Sequence, residues 1–243
     1  MGWIKNQRFG NQGGIGNTLE NLLGIPENNL PAPDFGKWEL KTQRKNTASL
    51  LTLFHMEPSP RKDKIVSSIL LPLYGWQHQN AGSLYPASEK SFRQTVNAHT
   101  FTDRGFRLNI NWQKERLELL FDLDHIDGQK HFEWKKHLIE NKNSYFLSPT
   151  PYWDFYELEN KINSKLANLL FISADTKYIN GEEYFKYKHI TAYIEPSLQK
   201  FLKLIEAGIL YVDFDARSGH NHGTKFRIKS SQKSLLYKYC FDI

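Results

Sequence analysis

Pro33-Asp34-Phe35-Gly36-Lys37-Trp38-Glu39-Leu40-Lys41 is the stretch on which the fold turns. Side chains alternate between the faces of a strand, so Glu39 and Lys41 point one way while Trp38 and Leu40 point into a core. Asp34 follows a proline that keeps the residue before it extended, and it approaches Glu39 from a neighbouring turn or strand. Two carboxylates and an amine so placed suit magnesium-dependent phosphodiester hydrolysis. Asp34 and Glu39 would together hold the metal, which would supply a water able to serve as nucleophile, and Lys41 would orient that water and offset charge growing on the phosphate.

Glu-x-Lys by itself is a cheap pattern, recurring at Glu133/Lys135, Glu140/Lys142 and Glu159/Lys161. The last of these, with Asp154, repeats the whole spacing. Apolar residues recur there at helical intervals, and Asp154 with Glu157 reads as a capping box, which predicts a helix over residues 154–167. Residues two apart on a helix lie about 200° apart around its axis, so Glu159 and Lys161 cannot share one metal-bound phosphate.

The chain has 243 residues and a net charge of +6, a length sufficient for a substantial core and a balance that favours a polyanionic partner. Cys240 is the single cysteine, which excludes an internal disulfide and any multi-cysteine zinc or iron–sulfur site and fits a cytoplasmic protein. No apolar run approaches a membrane span, and the first residues lack the core of a signal peptide, so neither a membrane nor a secretory role is expected.

Residues 8–18 read as a glycine- and asparagine-rich loop leading into a short helix over residues 19–23, stopped by Gly24 and Pro26. This is not a Walker loop, since no Gly-Lys-Ser/Thr follows, and a backbone-phosphate role and an ordinary cap both remain open. Glu20 on that helix either orients Lys41 or a metal-bound water, or is a solvated surface glutamate. Residues 42–46 read as a polar turn and residues 48–55 as a buried central strand, the two strands flanking the turn forming a hairpin. Residues 65–74 are apolar. Residues 75–104 form a long polar loop whose His78, Lys90, Arg93 and His99 either follow a nucleic-acid backbone or are merely solvated. Residues 107–113 and 116–122 alternate with period two and predict an antiparallel pair, with Asp122, Asp124, His125 and Asp127 in the turn or loop beyond it. A short helix over 131–140, a buried strand from Leu169, and a helix that starts near Pro196 and ends at Gly208 follow.

Residues 209–228 read as strand, loop and strand, with histidines and arginines at the junction. Lys225 and Arg227 share a face of the second strand, where Arg227 can take guanine O6 and N7 together. His220 and His222 lack an obvious third metal ligand, and His-Asn-His here is unrelated to the HNH nucleases, whose motif residues lie far apart.

Gly14-Ile15-Gly16-Asn17-Thr18-x-Glu20, Ala32-Pro33-Asp34-x4-Glu39-x-Lys41-Thr42, Ser49-Leu50-Leu51-Thr52-Leu53-Phe54 and His220-x-His222-Gly223-Thr224-x-Phe226-Arg227-Ile228 together resemble the MvaI/BcnI family of type II restriction endonucleases, related to the repair nuclease MutH. The blocks stand in the family's order over nearly the whole chain, with residues 55–150 the weakest match. The resemblance implies an α/β restriction-endonuclease-like fold, with a mixed central β-sheet flanked by helices. It further implies a single nuclease domain over 1–243 with two lobes forming a cleft, the catalytic core centred on 15–55 and the recognition elements on 209–230. Asp34, Glu39 and Lys41 fall on the family's catalytic triad, with Glu20 and His222 beside it. Arg227 falls on base readout, Arg217 approximately on a second groove-reading arginine, and Lys225, His220 and Asn17 join the DNA-binding set. Magnesium, a monomer on double-stranded DNA, a CC-x-GG kind of site cut one strand at a time, and a cognate DNA methyltransferase as genetic partner are implied too. The competing expectations are a MutH-like repair nickase and a DNA-binding module without catalysis, the latter disfavoured by the intact Asp34, Glu39 and Lys41.

Overall fold

The computed structural model describes residues 2–8, 10–11, 13–25, 37–45, 47, 49–141 and 145–243. Its strands in chain order are β1 (Ile4–Lys5), β2 (Glu39–Arg44), β3 (Leu50–His55), β4 (Trp76–Gln77), β5 (Lys90–Val96), β6 (Arg104–Asn111), β7 (Arg116–Ile126), β8 (Tyr152–Asp154), β9 (Asn168–Ile179), β10 (Glu182–Pro196), β11 (Leu210–Arg217), β12 (His220–Asn221), β13 (Lys225–Lys229) and β14 (Tyr237–Asp242). The α-helices are α1 (Gly14–Leu22), α2 (Leu71–Tyr74), α3 (Phe132–Glu140), α4 (Phe155–Lys165) and α5 (Leu198–Glu206). The chain divides into one unit of Met1–Leu51, Glu159–Lys200 and Lys229–Ile243 and another of Thr52–Leu158 and Phe201–Ile228. No helix among the described residues is long and apolar enough to cross a membrane.

The first unit is built on a sheet of order β1-β10-β9-β2, with β14 also pairing β10. β9 and β10 form a long antiparallel hairpin turned at Asn180 and Gly181, both at positive φ as a tight hairpin turn requires. β2 joins β9 in parallel, from Glu39 opposite Leu169 to Arg44 opposite Ala174, so the sheet is mixed. Over it lies α1, whose buried Ile15 and Leu19 share one helical face. Ile15 packs on Ala174 and Phe185, and Leu19 on Leu40 and Ile172. A Cβ on Gly14 would fall 2.5 Å from Asn6 Oδ1 and 3.0 Å from the Arg8 carbonyl, so only glycine fits where the helix begins.

The second unit carries a sheet of order β3-β13-β11-β5-β4 with β12 on β11, and a smaller one of order β6-β7-β8. Its core is aromatic. Phe54 and Phe226 lie 5.0 Å apart between ring centres, Trp153 and Phe226 5.4 Å, and Phe92 and Phe214 5.4 Å. The buried Trp153 indole also donates to the Met56 carbonyl at 3.0 Å, which satisfies its one polar atom. Along β11 the fully buried Leu210, Val212, Phe214 and Ala216 alternate with half-buried Tyr211, Asp213, Asp215 and Arg217.

Several elements follow the sequence closely, among them α3, α4, β9, β11, β13 and the β6–β7 pair, in which Leu108 faces Leu119. Others do not. β2 and β3 are not a hairpin: β2 continues through Thr42, Gln43 and Arg44 and pairs with β9, while β3 enters the other sheet beside β13. Each stands at an end of its described sheet path rather than at a centre. An apolar run shows that a strand is buried but not which strand it pairs with. α1 begins at Gly14, five residues before the expected start, because its two glycines face close neighbours: Gly14 meets Asn6, and a Cβ on Gly16 would lie 3.3 Å from Thr42 Oγ1. Residues 75–104 are no mere loop, since they hold β4 and β5, with Phe92 and Val96 fully buried. Asp122, Asp124 and His125 lie within β7 rather than in a turn. Pro196 closes β10, and α5 starts at Leu198.

Candidate active site

Asp34 lies outside the described residues, so the geometry starts from Glu39. This carboxylate is 5% exposed, unusual for a side chain that costs several kcal/mol to bury charged without partners. Its partners are two ammonium groups. Lys41, two residues along the same strand face, donates to Oε1, and Lys165 Nζ stands 3.4 Å from Oε2. Lys165 is the last residue of α4, and three residues later β9 begins, whose Leu169 sits opposite Glu39 in the parallel ladder. The connection from helix to strand therefore delivers Lys165 to the carboxylate. Asn168 secures the same corner by donating to the Lys37 carbonyl at 3.1 Å.

Tyr237 of β14 belongs to the same unit, 3% exposed, with a hydroxyl that has no hydrogen-bond partner among the described residues. Burial foremost, then the neighbouring Tyr193 and Glu39, push its phenol far up, so it stays protonated. Glu20 is half-buried on α1, on the turn above Gly16, whose Cβ position lies 3.9 Å from Glu20 Oε1 and 3.3 Å from Thr42 Oγ1 of β2. Asn17 is also half-buried in α1, within the helix rather than in a loop before it.

Below the site, Glu183 holds the N-terminal segment to β2. Its carboxylate accepts both arms of the Arg44 guanidinium at 2.7 and 2.9 Å and the Asn6 amide at 2.7 Å. The Arg44 hydrogen bonds dominate, with burial opposing, and hold Glu183 below the usual carboxylate range.

The second unit displays a different cluster, on the polar face of β5, β11 and β13. Asp215 binds Arg93 at 2.7 Å and Lys225 at 2.8 Å, and Asp213 binds Arg227 at 2.9 Å and the Thr95 hydroxyl at 2.9 Å. Lys225 and Arg227 do share a strand face, opposite the buried Phe226 and Ile228. A cleft of about 470 Å³ opens over Arg93, Thr95, Asp213 and Asp215. Desolvation at Asp215 is outweighed by the Lys225 hydrogen bond and the Lys225, Arg93 and His222 charges, so its carboxyl lies below the ordinary value.

His222 is exposed, its ring 4.2 Å from that of His220, and its amide donates to the Asp215 carbonyl. Desolvation lowers its imidazole below the ordinary histidine value, against the pull of Asp215, so it is mostly neutral at pH 7. Arg217 is drawn to the buried Glu89 at 3.1 Å and lies over the Tyr85 ring at 4.6 Å. Of the residues in 75–104, His78 is buried and accepts from the Asn80 amide, Lys90 donates to the Pro72 carbonyl, and His99 is exposed.

Among the described residues, no three acidic, histidine or cysteine side chains gather closely enough to hold a metal. The donor chemistry nonetheless suits a small hard cation. Glu39 is a buried carboxylate on a rigid strand, beside the buried Tyr237 hydroxyl that has no partner among the described residues, and magnesium takes one or two carboxylates and completes its shell with waters and substrate oxygens. Sequence reasoning missed Lys165, because its tie to Glu39 exists only through the pairing of β9 with β2.

The comparisons agree with this architecture. Residues 1–237 match the model of the MvaI/BcnI restriction endonuclease family. The chain is similar to a solved structure described as a complex of restriction endonuclease MvaI with its cognate DNA substrate, at 29% identity over 99% of this chain and 92% of that one, with a TM-score of 0.78. It is also similar to MvaI in the absence of DNA, at 26% identity over 100% of this chain and 91% of that one, with a TM-score of 0.54. A search among curated proteins returns no match. The family match and the fold together define a site-specific deoxyribonuclease of the restriction-endonuclease class. The chain belongs to the MvaI/BcnI restriction endonuclease family.

Proposed function

We propose that this protein is a magnesium-dependent type II restriction endonuclease that cuts double-stranded DNA at a short site of the CC-x-GG kind, nicking one strand and rebinding to cut the other. The observation that carries the reading is Glu39, a buried strand carboxylate met by Lys41 from the same strand and Lys165 from α4. Asp34 and Glu39 would hold the metal. When bound, the metal supplies an activated water and offsets charge at the phosphate. Lys41, fixed by Glu39, aims its ammonium at the charge that develops on the phosphoryl oxygens. Glu20 orients Lys41 or the attacking water, and the neutral His222 accepts a hydrogen bond near the scissile strand.

In this reading Glu39, Lys41 and Lys165 of the first unit carry most of the chemistry, and the second unit most of the reading of sequence. Arg227 takes a guanine edge, Lys225, His220 and Asn17 take phosphate or groove contacts, and Arg217 reaches a second base from its place at Glu89. The enzyme acts as a cytoplasmic monomer beside a methyltransferase that protects the host site. Incubating supercoiled plasmid with and without magnesium tests the proposal. Nicked plasmid should precede linear, with ends mapping to one short sequence, and Glu39→Gln should leave the plasmid supercoiled. Cleavage by Glu39→Gln at the parental rate would reject the site.

A further inference from the structure

We infer that Glu89 and Tyr85 determine sequence specificity by holding the Arg217 guanidinium as a pre-set reader of one guanine edge. The inference rests on the DNA reading proposed above and deepens it at one side chain. Arg217 lies on the polar face of β11 with Asp213 and Asp215, and in the ladder it stands opposite Ser91 of β5. Glu89 comes two residues before Ser91, so the pairing of β11 with β5 brings its carboxylate to the guanidinium. Glu89 Oε1 accepts from Arg217 Nη1 at 3.1 Å, and the Ser218 carbonyl accepts from the same nitrogen at 3.4 Å. The Glu89 side chain is 7% exposed and that of Arg217 28%, so the pair is anchored inside and open outside.

The plane of the guanidinium is set by Tyr85, whose ring centre lies 4.6 Å from Arg217 Cζ. Tyr85 is itself fixed. Its ring meets the buried His78 edge-on at 4.9 Å, its amide donates to the Asn80 carbonyl at 3.1 Å, and its carbonyl accepts from the Gly82 amide at 2.8 Å. His78 accepts the Asn80 amide on Nδ1 at 3.0 Å, and its own amide donates to the Glu89 carbonyl at 2.8 Å. Residues 78–89 thus form a closed frame around one arginine. An ion pair that only neutralised charge would need no ring to fix the plane of its cation. Both hydrogen bonds leave from Nη1, and Nε with Nη2 forms the other edge of the fork, the kind of donor pair that matches guanine O6 and N7. A side chain already held in its reading geometry loses less freedom on binding.

The test uses the full-length protein in calcium, a pool of DNA duplexes with a randomised central stretch, and sequencing of the duplexes retained. The parent should retain duplexes that share one short sequence. Arg217→Ala and Arg217→Lys should each lose about tenfold of the guanine preference at one base pair of it, since lysine keeps the charge but not the fork. Glu89→Gln and Tyr85→Leu should lower the preference at that same base pair about three- to tenfold, while other positions read as in the parent and affinity for unselected duplex stays within about twofold. Tyr85→Phe, which keeps the ring, should read as the parent does; if Glu89→Gln does not fold, the two Tyr85 variants decide. A loss spread over all positions, or shared by unselected duplex, assigns Glu89 and Tyr85 to holding the fold and overturns the inference. Preference lost in Arg217→Ala but kept in Glu89→Gln and Tyr85→Leu rejects the inference and leaves Arg217 as a reader. A parent that selects no sequence rejects the DNA reading as well, and an Arg217→Ala protein as selective as the parent removes Arg217 from readout and the inference with it.

Discussion

Two clusters of acids and bases sit on strand faces of this protein, and they are built to opposite plans. Around Glu39 a single buried carboxylate draws two lysines, from a strand and from a helix that reaches it only through tertiary pairing. On β5, β11 and β13 the two aspartates and their partners come from neighbouring strands beside an open cleft, with Asp213, Asp215, Lys225 and Arg227 half-buried and Arg93 and Thr95 exposed. The first arrangement gathers opposite charges in a low-dielectric corner, where electrostatics acts most strongly on a reaction. The second holds long side chains extended and ordered by their aspartates while leaving their edges accessible, which is what recognition of another surface asks for. Burial, rather than the kind of residue, separates the two roles.

The largest effect expected is at the buried cluster. Glu39→Gln and Lys41→Met should each lower single-turnover cleavage about a thousandfold or more, roughly 4 kcal/mol of transition-state stabilisation, while specific duplex binding measured in calcium stays largely in place. Equal loss of binding and cleavage would mean that the cluster holds the substrate rather than acting on it. At the open cluster the order reverses. Arg227→Ala should reduce discrimination between cognate and random duplex by about 1–3 kcal/mol, whereas Lys225→Ala should weaken both alike and reduce the salt slope by about one. A protein lacking Arg227 with undiminished selectivity would remove this face from base readout.

The frame beneath the first cluster gives two smaller effects, both read as stability. Glu183 has its carboxyl held below the usual range by Arg44 and Asn6, so its contribution is complete above the ordinary carboxylate value and disappears as pH falls through the depressed one. Glu183→Gln should therefore cost about 1–3 kcal/mol at pH 7 in urea unfolding and little near pH 2. A cost that did not shrink in acid would assign the effect to packing instead of charge. Gly14→Ala should cost about 1–3 kcal/mol, since the added methyl meets an Asn6 already pinned by Glu183 and the Arg8 amide. Cognate discrimination should be unchanged in that variant.

Local periodicity sufficed to read α4, the β6–β7 pair and the alternation of β11 and β13, and it put Glu39 with Lys41 and Lys225 with Arg227, because a two-residue repeat decides the face of a strand without reference to its partner. Helical spacing of apolar residues likewise set Asp154, Glu159 and Lys161 apart as an imitation of the site, and Glu159 and Lys161 do lie on α4, just beyond Asp154 at the end of β8. Local periodicity missed β5, because Arg93, Gln94 and Thr95 read as loop when their strand's outer face is a charged cluster. Reading β2 as one arm of a hairpin with β3 also chose the wrong partner, since β2 pairs with β9. The parallel pairing with β9 joins residues far apart in the chain, and no local pattern encodes a partner at that distance. Everything that follows from that pairing was decided by the tertiary structure alone: Lys165 at Glu39, Tyr237 buried beside it, and Gly14 and Gly16 admitting α1 close to its neighbours. A buried charge is fixed by whatever cations the fold brings within a few ångströms of it, and those arrive from segments remote in sequence.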